Sequence, residues 1–276
     1  MDFDMNAAWE RTVELIKDNL QLLAIVSAVF LLLPSVTIYL FMPNMIELSD
    51  PGADPDVVMA QLQENLVPLI TAGLLGMIVQ FAGYGAMIAL MGTKRPTVGE
   101  AIATGFKITP SAIGLFVVFL LSYFLGAMVA VIPLALIAGL LGAPALAGLA
   151  VIPVLLISVY VAARMSMSLP ALVLEGTLNP VSATLRSYKL THKKQWSILI
   201  FWVVLFALYM VIALLFSGGV GAIAALAGGG TVTALILGIT NGVLGMVSGM
   251  IMCGLAVAIF QQLSGPDPDE VSSVFD

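Results

Sequence analysis

Charged residues are scarce in this sequence. Only 9% of its 276 residues are charged, whereas 61% are hydrophobic, and the mean hydropathy is +1.11. Water-soluble domains average about 25% charged residues, so these values lie far outside their range. The composition therefore excludes a soluble globular protein and indicates an integral membrane protein.

Cysteine and histidine are scarcer still. Cys253 is the single cysteine, which excludes an internal disulfide, and His192 is the single histidine. The sequence has no second histidine or cysteine at metal-ligand spacing, no nucleophile paired with a base, no phosphate-binding loop and no zinc motif. We therefore expect no enzymatic activity, no metal site and no cofactor. The net charge of -6 gives no reason to expect a nucleic-acid partner.

Long apolar runs dominate the chain and predict an all-α polytopic membrane protein. A spanning helix needs about 20 apolar residues, and six such stretches occur, at residues 20–42, 66–91, 112–138, 147–173, 195–217 and 232–262. The glycine-rich sequences GLLGAPALAG and SGGVGAIAALAGGG separate two pairs of them and are the predicted turns. Asp2 and Asp4 stand where a cleavable signal peptide has basic residues, so the first helix is expected to remain.

The basic residues define an orientation. Nine of the ten fall on one side of the six-helix topology: Arg11, Lys17, Lys94, Arg95, Lys107, Arg186, Lys189, Lys193 and Lys194. By the positive-inside rule this side and both termini are predicted to be cytoplasmic, in a bacterial inner (plasma) membrane. The loop between the first two helices has five acids and no base. We interpret it as a solvated loop rather than a cation site, with Asp54 as the N-cap of a helix that begins at Pro55.

Three short amphipathic segments precede the first, third and fifth spanning helices, and they begin near Asn6, Thr97 and Asn179. Thr97 and Glu100 form a capping-box pattern, and Asn179 precedes a proline. Each segment is predicted to be an interfacial helix. The spacing indicates three repeated units, at residues 5–92, 97–174 and 179–263, within one membrane domain that covers 1–265. An acidic cytoplasmic tail, 266–276, follows.

The third segment is the most basic. Arg186, Lys189 and Lys193 lie at i, i+3 and i+7, on one helical face, where they would meet anionic lipid headgroups. Alternatively, these three residues serve only to set the membrane orientation by the positive-inside rule. His192, beside them, is interpreted as an interfacial polar residue.

Arg164 is the one basic residue predicted to lie inside the bilayer. It stands about ten residues, or roughly 15 Å, from the cytoplasmic end of the fourth helix. Glu175 is too distant along that helix for a direct ion pair. We expect Gln80 and Asn241, or a lipid phosphate, to hold Arg164. Two roles are open for Arg164: structural support of the helices, or part of a substrate site.

A stripe of small residues marks the sixth helix, at Gly238, Gly242, Gly245 and Gly249. Such a stripe allows another backbone to approach closely, either within the chain or in a homo-oligomer. Gly73, Gly76, Gly83 and Gly85 are expected to act similarly in the second helix.

The stretch PALVLEG at 170–176, Ala183 and LRSYKLT at 185–191 resemble the signature of the membrane domain of bacterial glycerophosphoryl diester phosphodiesterases. Tyr188 replaces a tryptophan frequent in that family, and His192 replaces a glycine. The resemblance implies a six-helix inner-membrane domain without catalysis, because the family's chemistry belongs to a separate soluble barrel. The expected function is a non-enzymatic membrane-embedded scaffold or lipid-associated domain. The alternative is a small transporter or channel component with a polar site around Arg164.

Overall fold

The computed structural model describes residues 3–41, 54–143, 148–226, 228 and 230–265, and within them every regular element is a helix. The all-α prediction is therefore confirmed. The α-helices are α1 (Met5–Asp18), α2 (Leu20–Ser27), α3 (Leu33–Phe41), α4 (Pro55–Glu64), α5 (Leu66–Leu90), α6 (Val98–Leu140), α7 (Val151–Met165), α8 (Ser168–Leu174), α9 (Pro180–Thr191), α10 (Gln195–Leu226) and α11 (Gly230–Ser264). A π-helical turn, Ala28–Leu32, joins α2 to α3, and a 3-10 turn, His192–Lys194, joins α9 to α10.

Six helical stretches in this described part are long and apolar enough to cross a membrane, as predicted. We number them spans 1 to 6: Leu20–Phe41, Leu66–Leu90, Val98–Leu140, Val151–Leu174, Pro180–Ala224 and Gly230–Ser264. The chain is thus a multi-pass membrane protein.

The glycine-rich turn predicted between the last two spans begins later than expected. α10 stays helical through SGGVGAIAAL to Leu226, and the positive φ angles occur at Gly228 and Gly230. In hydrocarbon a helix satisfies its own backbone hydrogen bonds, which outweighs the roughly 1 kcal/mol that each glycine costs. In the other predicted turn, Gly142 has a φ of 59°, and residues 144–147 lie outside the described residues. The predicted acidic tail, 266–276, and residues 43–53 of the acidic loop also lie outside them.

Local capping follows the sequence at three helix starts. Asp54 accepts a hydrogen bond from the N–H of Asp56 at 2.9 Å, Glu100 accepts one from the N–H of Thr97 at 2.8 Å, and Asn179 accepts one from the N–H of Val181 at 2.9 Å. α1 differs: Asp4 rather than Asn6 is its cap. The second short segment also differs, because it has no helix of its own and continues as the first turns of α6.

The chain divides into two compact units. Unit A contains the described residues of Met1–Arg11, Pro110–Phe206 and Ala256–Asp276, and unit B contains Thr12–Thr109 and Ala207–Leu255. Units A and B are defined by which residues pack together. They are separate from the three sequence repeats predicted above, which stay a prediction.

The three short segments each bury small residues at a common spacing. In each, a fully buried alanine is followed four residues later by a small buried residue: Ala8 and Thr12, Ala101 and Gly105, Ala183 and Ser187. Small side chains let helices approach closely, which is how helices associate where lipid removes the hydrophobic driving force. Large residues of the same segments, such as Trp9, Phe106 and Leu185, remain exposed.

Each segment uses its small residue to cross an even-numbered span. At the first crossing, a Cβ added to Gly254 of span 6 would lie 2.9 Å from Cγ2 of Thr12. At the second, a Cβ added to Gly105 would overlap the carbonyl oxygen of Ala82 in span 2. At the third, Ser187 donates a hydrogen bond to the carbonyl oxygen of Arg164 in span 4. At the third crossing the residue contacted on the span is charged.

The glycine stripe of α11 packs within unit B against span 1. Cβ atoms added to Gly238 and Gly242 would each lie 3.0 Å from a Cα atom, that of Val36 or that of Leu32. Gly249 faces the side chain of Leu31, whereas no described atom lies within 4 Å of a Cβ at Gly245. Gly83 and Gly85 of α5 are also at close contacts, but the described residues leave open space at Gly73 and Gly76. A homo-oligomer through this face stays a prediction.

Candidate anion-binding site

Span 4 is interrupted at Ser166 and Met167, between α7 and α8. Pro170, four residues after Ser166, has no N–H to donate to the Ser166 carbonyl, and its ring would collide with that carbonyl in a continuous helix. The break leaves backbone groups in the last turn of α7 without their helical partners. Arg164 lies in that last turn.

Ser187 of α9 binds both sides of this break. Its hydroxyl donates to the carbonyl oxygen of Arg164 at 2.6 Å and accepts from the backbone N–H of Met167 at 3.2 Å. Thr191, one turn later, donates to the carbonyl oxygen of Ser187 at 2.8 Å. Ser187 and Thr191 are fully buried. The two hydroxyls therefore hold α9 against the end of α7.

The guanidinium of Arg164 lies at the same contact and is only 5% exposed. Its Nη1 donates to the Thr191 hydroxyl at 2.8 Å, and its Cζ lies 4.5 Å from the centroid of the Tyr188 ring. A cation over an aromatic face gains about 2 kcal/mol when desolvated. Its Nε is fully buried and has no hydrogen-bond partner among the described residues. The arginine is therefore held in place but keeps an unused donor.

A cavity of about 580 Å³ opens beside this guanidinium. Its lining combines cationic, aromatic and apolar side chains, all from unit A: Arg164, Leu185, Tyr188, Lys189, Leu190, His192, Lys193, Lys194 and Leu263. Four of these residues are lysine or arginine, and none of the described lining residues is acidic. Such an arrangement favours an anion, because clustered cations lower one another's stability until a counter-charge binds.

The basic residues of α9 and of the 3-10 turn that follows it separate into two groups. Lys189, His192 and Lys193 are exposed, and in the described part of the chain their side chains have no hydrogen-bond or ion-pair partner. Arg186 instead donates to Glu175 through Nε at 2.8 Å, and it does not line the cavity. The helical face predicted from the i, i+3, i+7 spacing therefore contains one paired and two unpaired cations.

Gln80 and Asn241, which the sequence suggested as partners of Arg164, have other partners in unit B. Gln80 donates to the hydroxyl of Tyr84 at 3.0 Å. Asn241 donates to the hydroxyl of Tyr39 at 3.3 Å and to the carbonyl oxygen of Leu237 at 2.9 Å. The residues that hold Arg164, namely Ser187, Tyr188 and Thr191, were not assigned that role from sequence. Two hydroxyls at i and i+4 among apolar and basic residues were the signal that could have identified them.

The described residues contain no group of three or more histidine, cysteine, aspartate or glutamate side chains that could hold a metal ion. In comparisons with protein-family models, with curated proteins and with solved structures, nothing matches this chain.

Proposed function

We propose that this chain is a non-enzymatic, multi-pass inner-membrane protein that associates with anionic lipids through α9. The observation that carries the proposal is a pair of exposed lysines without a partner among the described residues, Lys189 in the last turn of α9 and Lys193 in the 3-10 turn that follows it. Each basic residue near an anionic surface adds on the order of 1 kcal/mol of attraction. The likeness of residues 170–191 to the phosphodiesterase membrane domain agrees with a membrane role that needs no catalytic residues.

The exposed apolar residues of α9 support an interfacial position for the helix. Val181 and Leu185 are 54% and 57% exposed, although they belong to a helix whose opposite face is buried. In water these side chains would be an unfavourable apolar patch, whereas at the membrane interface they reach the acyl chains. Lys189 and Lys193, one and two turns beyond Leu185, then lie level with the headgroups.

The proposed orientation places both termini and α9 in the cytoplasm and Pro55 on the opposite side. We expect alkaline phosphatase inserted at Pro55 to be active, and the same reporter inserted at Lys94 or fused after Ser264 to be inactive, because the enzyme works only after export. Cytoplasmic green fluorescent protein at the same sites should give the reverse pattern. Alkaline phosphatase that is active at Lys94 and inactive at Pro55 would show that the orientation is the opposite of the proposed one. In that case α9 would not lie at the cytoplasmic leaflet.

Lipid mass spectrometry on the purified chain tests the lipid association. We expect phosphatidylglycerol and cardiolipin to be enriched on the protein relative to the bulk membrane. The triple variant Arg186→Gln, Lys189→Gln, Lys193→Gln should lose most of this enrichment, because the attraction depends on these charges. The matched control is Lys17→Gln, Lys94→Gln, Lys107→Gln, which removes the same charge from exposed residues elsewhere on the same predicted side. Equal anionic lipid on all three proteins would refute the proposal.

A further inference from the structure

The three crossings show that the fold does not need a charge at the position of Arg164. Each short segment meets an even-numbered span through a small residue, and the first two crossings are made with Gly254 and Ala82 on the span. At the third crossing the Ser187 hydroxyl donates to the carbonyl oxygen of residue 164, and this residue is an arginine. Helix packing alone therefore does not account for this arginine.

The donors of Arg164 are only partly used by the protein. A guanidinium has five N–H donors in a planar fork. The described residues provide one acceptor, the Thr191 hydroxyl, and the centroid of the Tyr188 ring lies 4.5 Å from Cζ. The buried Nε has no partner among them. Burying a charge with unsatisfied donors is unfavourable, so an acceptor in the guanidinium plane would be strongly bound.

The cavity provides space and further charge for that acceptor. Its volume of about 580 Å³ is many times the roughly 30 Å³ of one water molecule. Lys189 and Lys193 line it together with Arg164, so a bound group would meet several cations. A phosphate is an anion that suits such a site, because its oxygen atoms match the geometry of the arginine fork. Three leucines, Leu185, Leu190 and Leu263, add an apolar wall suited to the glycerol and first methylenes of a lipid.

We propose that this cavity binds the phosphate of one anionic phospholipid headgroup, with Arg164 as its buried ligand and Lys189 and Lys193 as its exposed ones. This inference rests on the proposed lipid association and narrows it from a charged surface to a single site. Arg186 is not part of the site, because Glu175 already neutralises it and it does not line the cavity.

The test is native mass spectrometry of the full chain in detergent, titrated with phosphatidylglycerol or with phosphatidylcholine. We expect one phosphatidylglycerol to bind well before any others, and phosphatidylcholine to bind without such a first site. Lys189→Gln with Lys193→Gln should weaken the first site about 30-fold, given about fivefold for each neutralised charge. Arg164→Gln should abolish it, whereas Arg186→Gln and the exposed pair Lys94→Gln, Lys107→Gln should leave it unchanged.

The outcomes distinguish a single lipid site in the cavity from diffuse charge attraction and from a site for free phosphate. If Arg164→Gln fails to fold, the lysine pair and Arg186→Gln still decide, since these residues are exposed or half-exposed. An equal loss of phosphatidylglycerol binding in Arg186→Gln and in the lysine pair would show diffuse attraction. That result would overturn the cavity site and leave the proposed function standing. Absence of any phosphatidylglycerol preference in the unaltered chain would overturn both. Binding of inorganic phosphate that depends on Arg164, without a first phosphatidylglycerol site, would overturn the lipid assignment.

Discussion

Replacing Gly105 with alanine is expected to lower the free energy of unfolding by about 3 kcal/mol or more. The added Cβ would overlap the carbonyl oxygen of Ala82, at the second crossing, where α6 and α5 are in backbone contact. A backbone atom cannot rotate away as a side chain can, so the helices must separate and lose their neighbouring contacts. Among these is the contact of Gly85 with Ile108, where a Cβ would lie 2.9 Å away. Unfolding of the purified chain in sodium dodecyl sulfate measures the effect.

Gly76→Ala is the matched control for that substitution. Gly76 is also helical, in α5, but no described atom lies within 4 Å of a Cβ added there. It should therefore be neutral or stabilising by up to about 1 kcal/mol, because alanine is the better helix former. If Gly105→Ala were as harmless as Gly76→Ala, the close crossing of α5 and α6 would be disproved.

Replacing Ser187 with alanine is expected to lower the free energy of unfolding by about 2 to 4 kcal/mol. The substitution removes one hydroxyl but leaves two buried backbone groups without a partner, the carbonyl of Arg164 and the N–H of Met167. Each buried unsatisfied group costs about 1–3 kcal/mol. The proline break in span 4 makes this loss severe, since a continuous helix would have satisfied both groups internally.

Ser182→Ala on the same helix is the control for Ser187→Ala. Ser182 is exposed and hydrogen-bonds to the carbonyl of Asn179 and to the hydroxyl of Thr177, at 2.9 and 3.0 Å. Solvent or headgroups can replace those bonds, so a change below about 1 kcal/mol is expected. The lipid titration described above should also weaken in Ser187→Ala, because Arg164 would lose its fixed position. Equal stability of the two variants would contradict the role given to Ser187.

The features that the sequence predicted correctly are those encoded locally. The six spans follow from continuous apolar runs, since a helix in lipid needs no distant partner for its backbone. The caps at Asp54, Thr97 and Asn179 follow from residue types within one turn of the helix start. The glycine turn before α11 was placed too early, because the preference of lipid for intact helices overrides the propensity of glycine.

The partners of Arg164 could not be predicted, because they depend on which face of α9 is packed. The large apolar residues of that segment mark the side away from water, and the structure leaves Val181 and Leu185 exposed. The packed side consists of Ala183, Ser187 and Thr191, which are small and partly polar. In a membrane, close packing selects small residues and not hydrophobic ones, so hydropathy alone does not identify the contact.

The distance between a lipid phosphorus and the guanidinium of Arg164 tests the central claim most directly. It can be measured by solid-state NMR, as dephasing of ¹⁵N-arginine side-chain signals by ³¹P, with the full chain in phosphatidylglycerol bilayers. Of the four arginines, the Arg164 signal is identified by its loss in Arg164→Gln. We predict strong dephasing of the Arg164 side chain, consistent with hydrogen-bond contact to a phosphate, and weaker dephasing of Arg186, which is paired with Glu175. An Arg164 signal that the lipid phosphorus leaves unaffected would contradict the account.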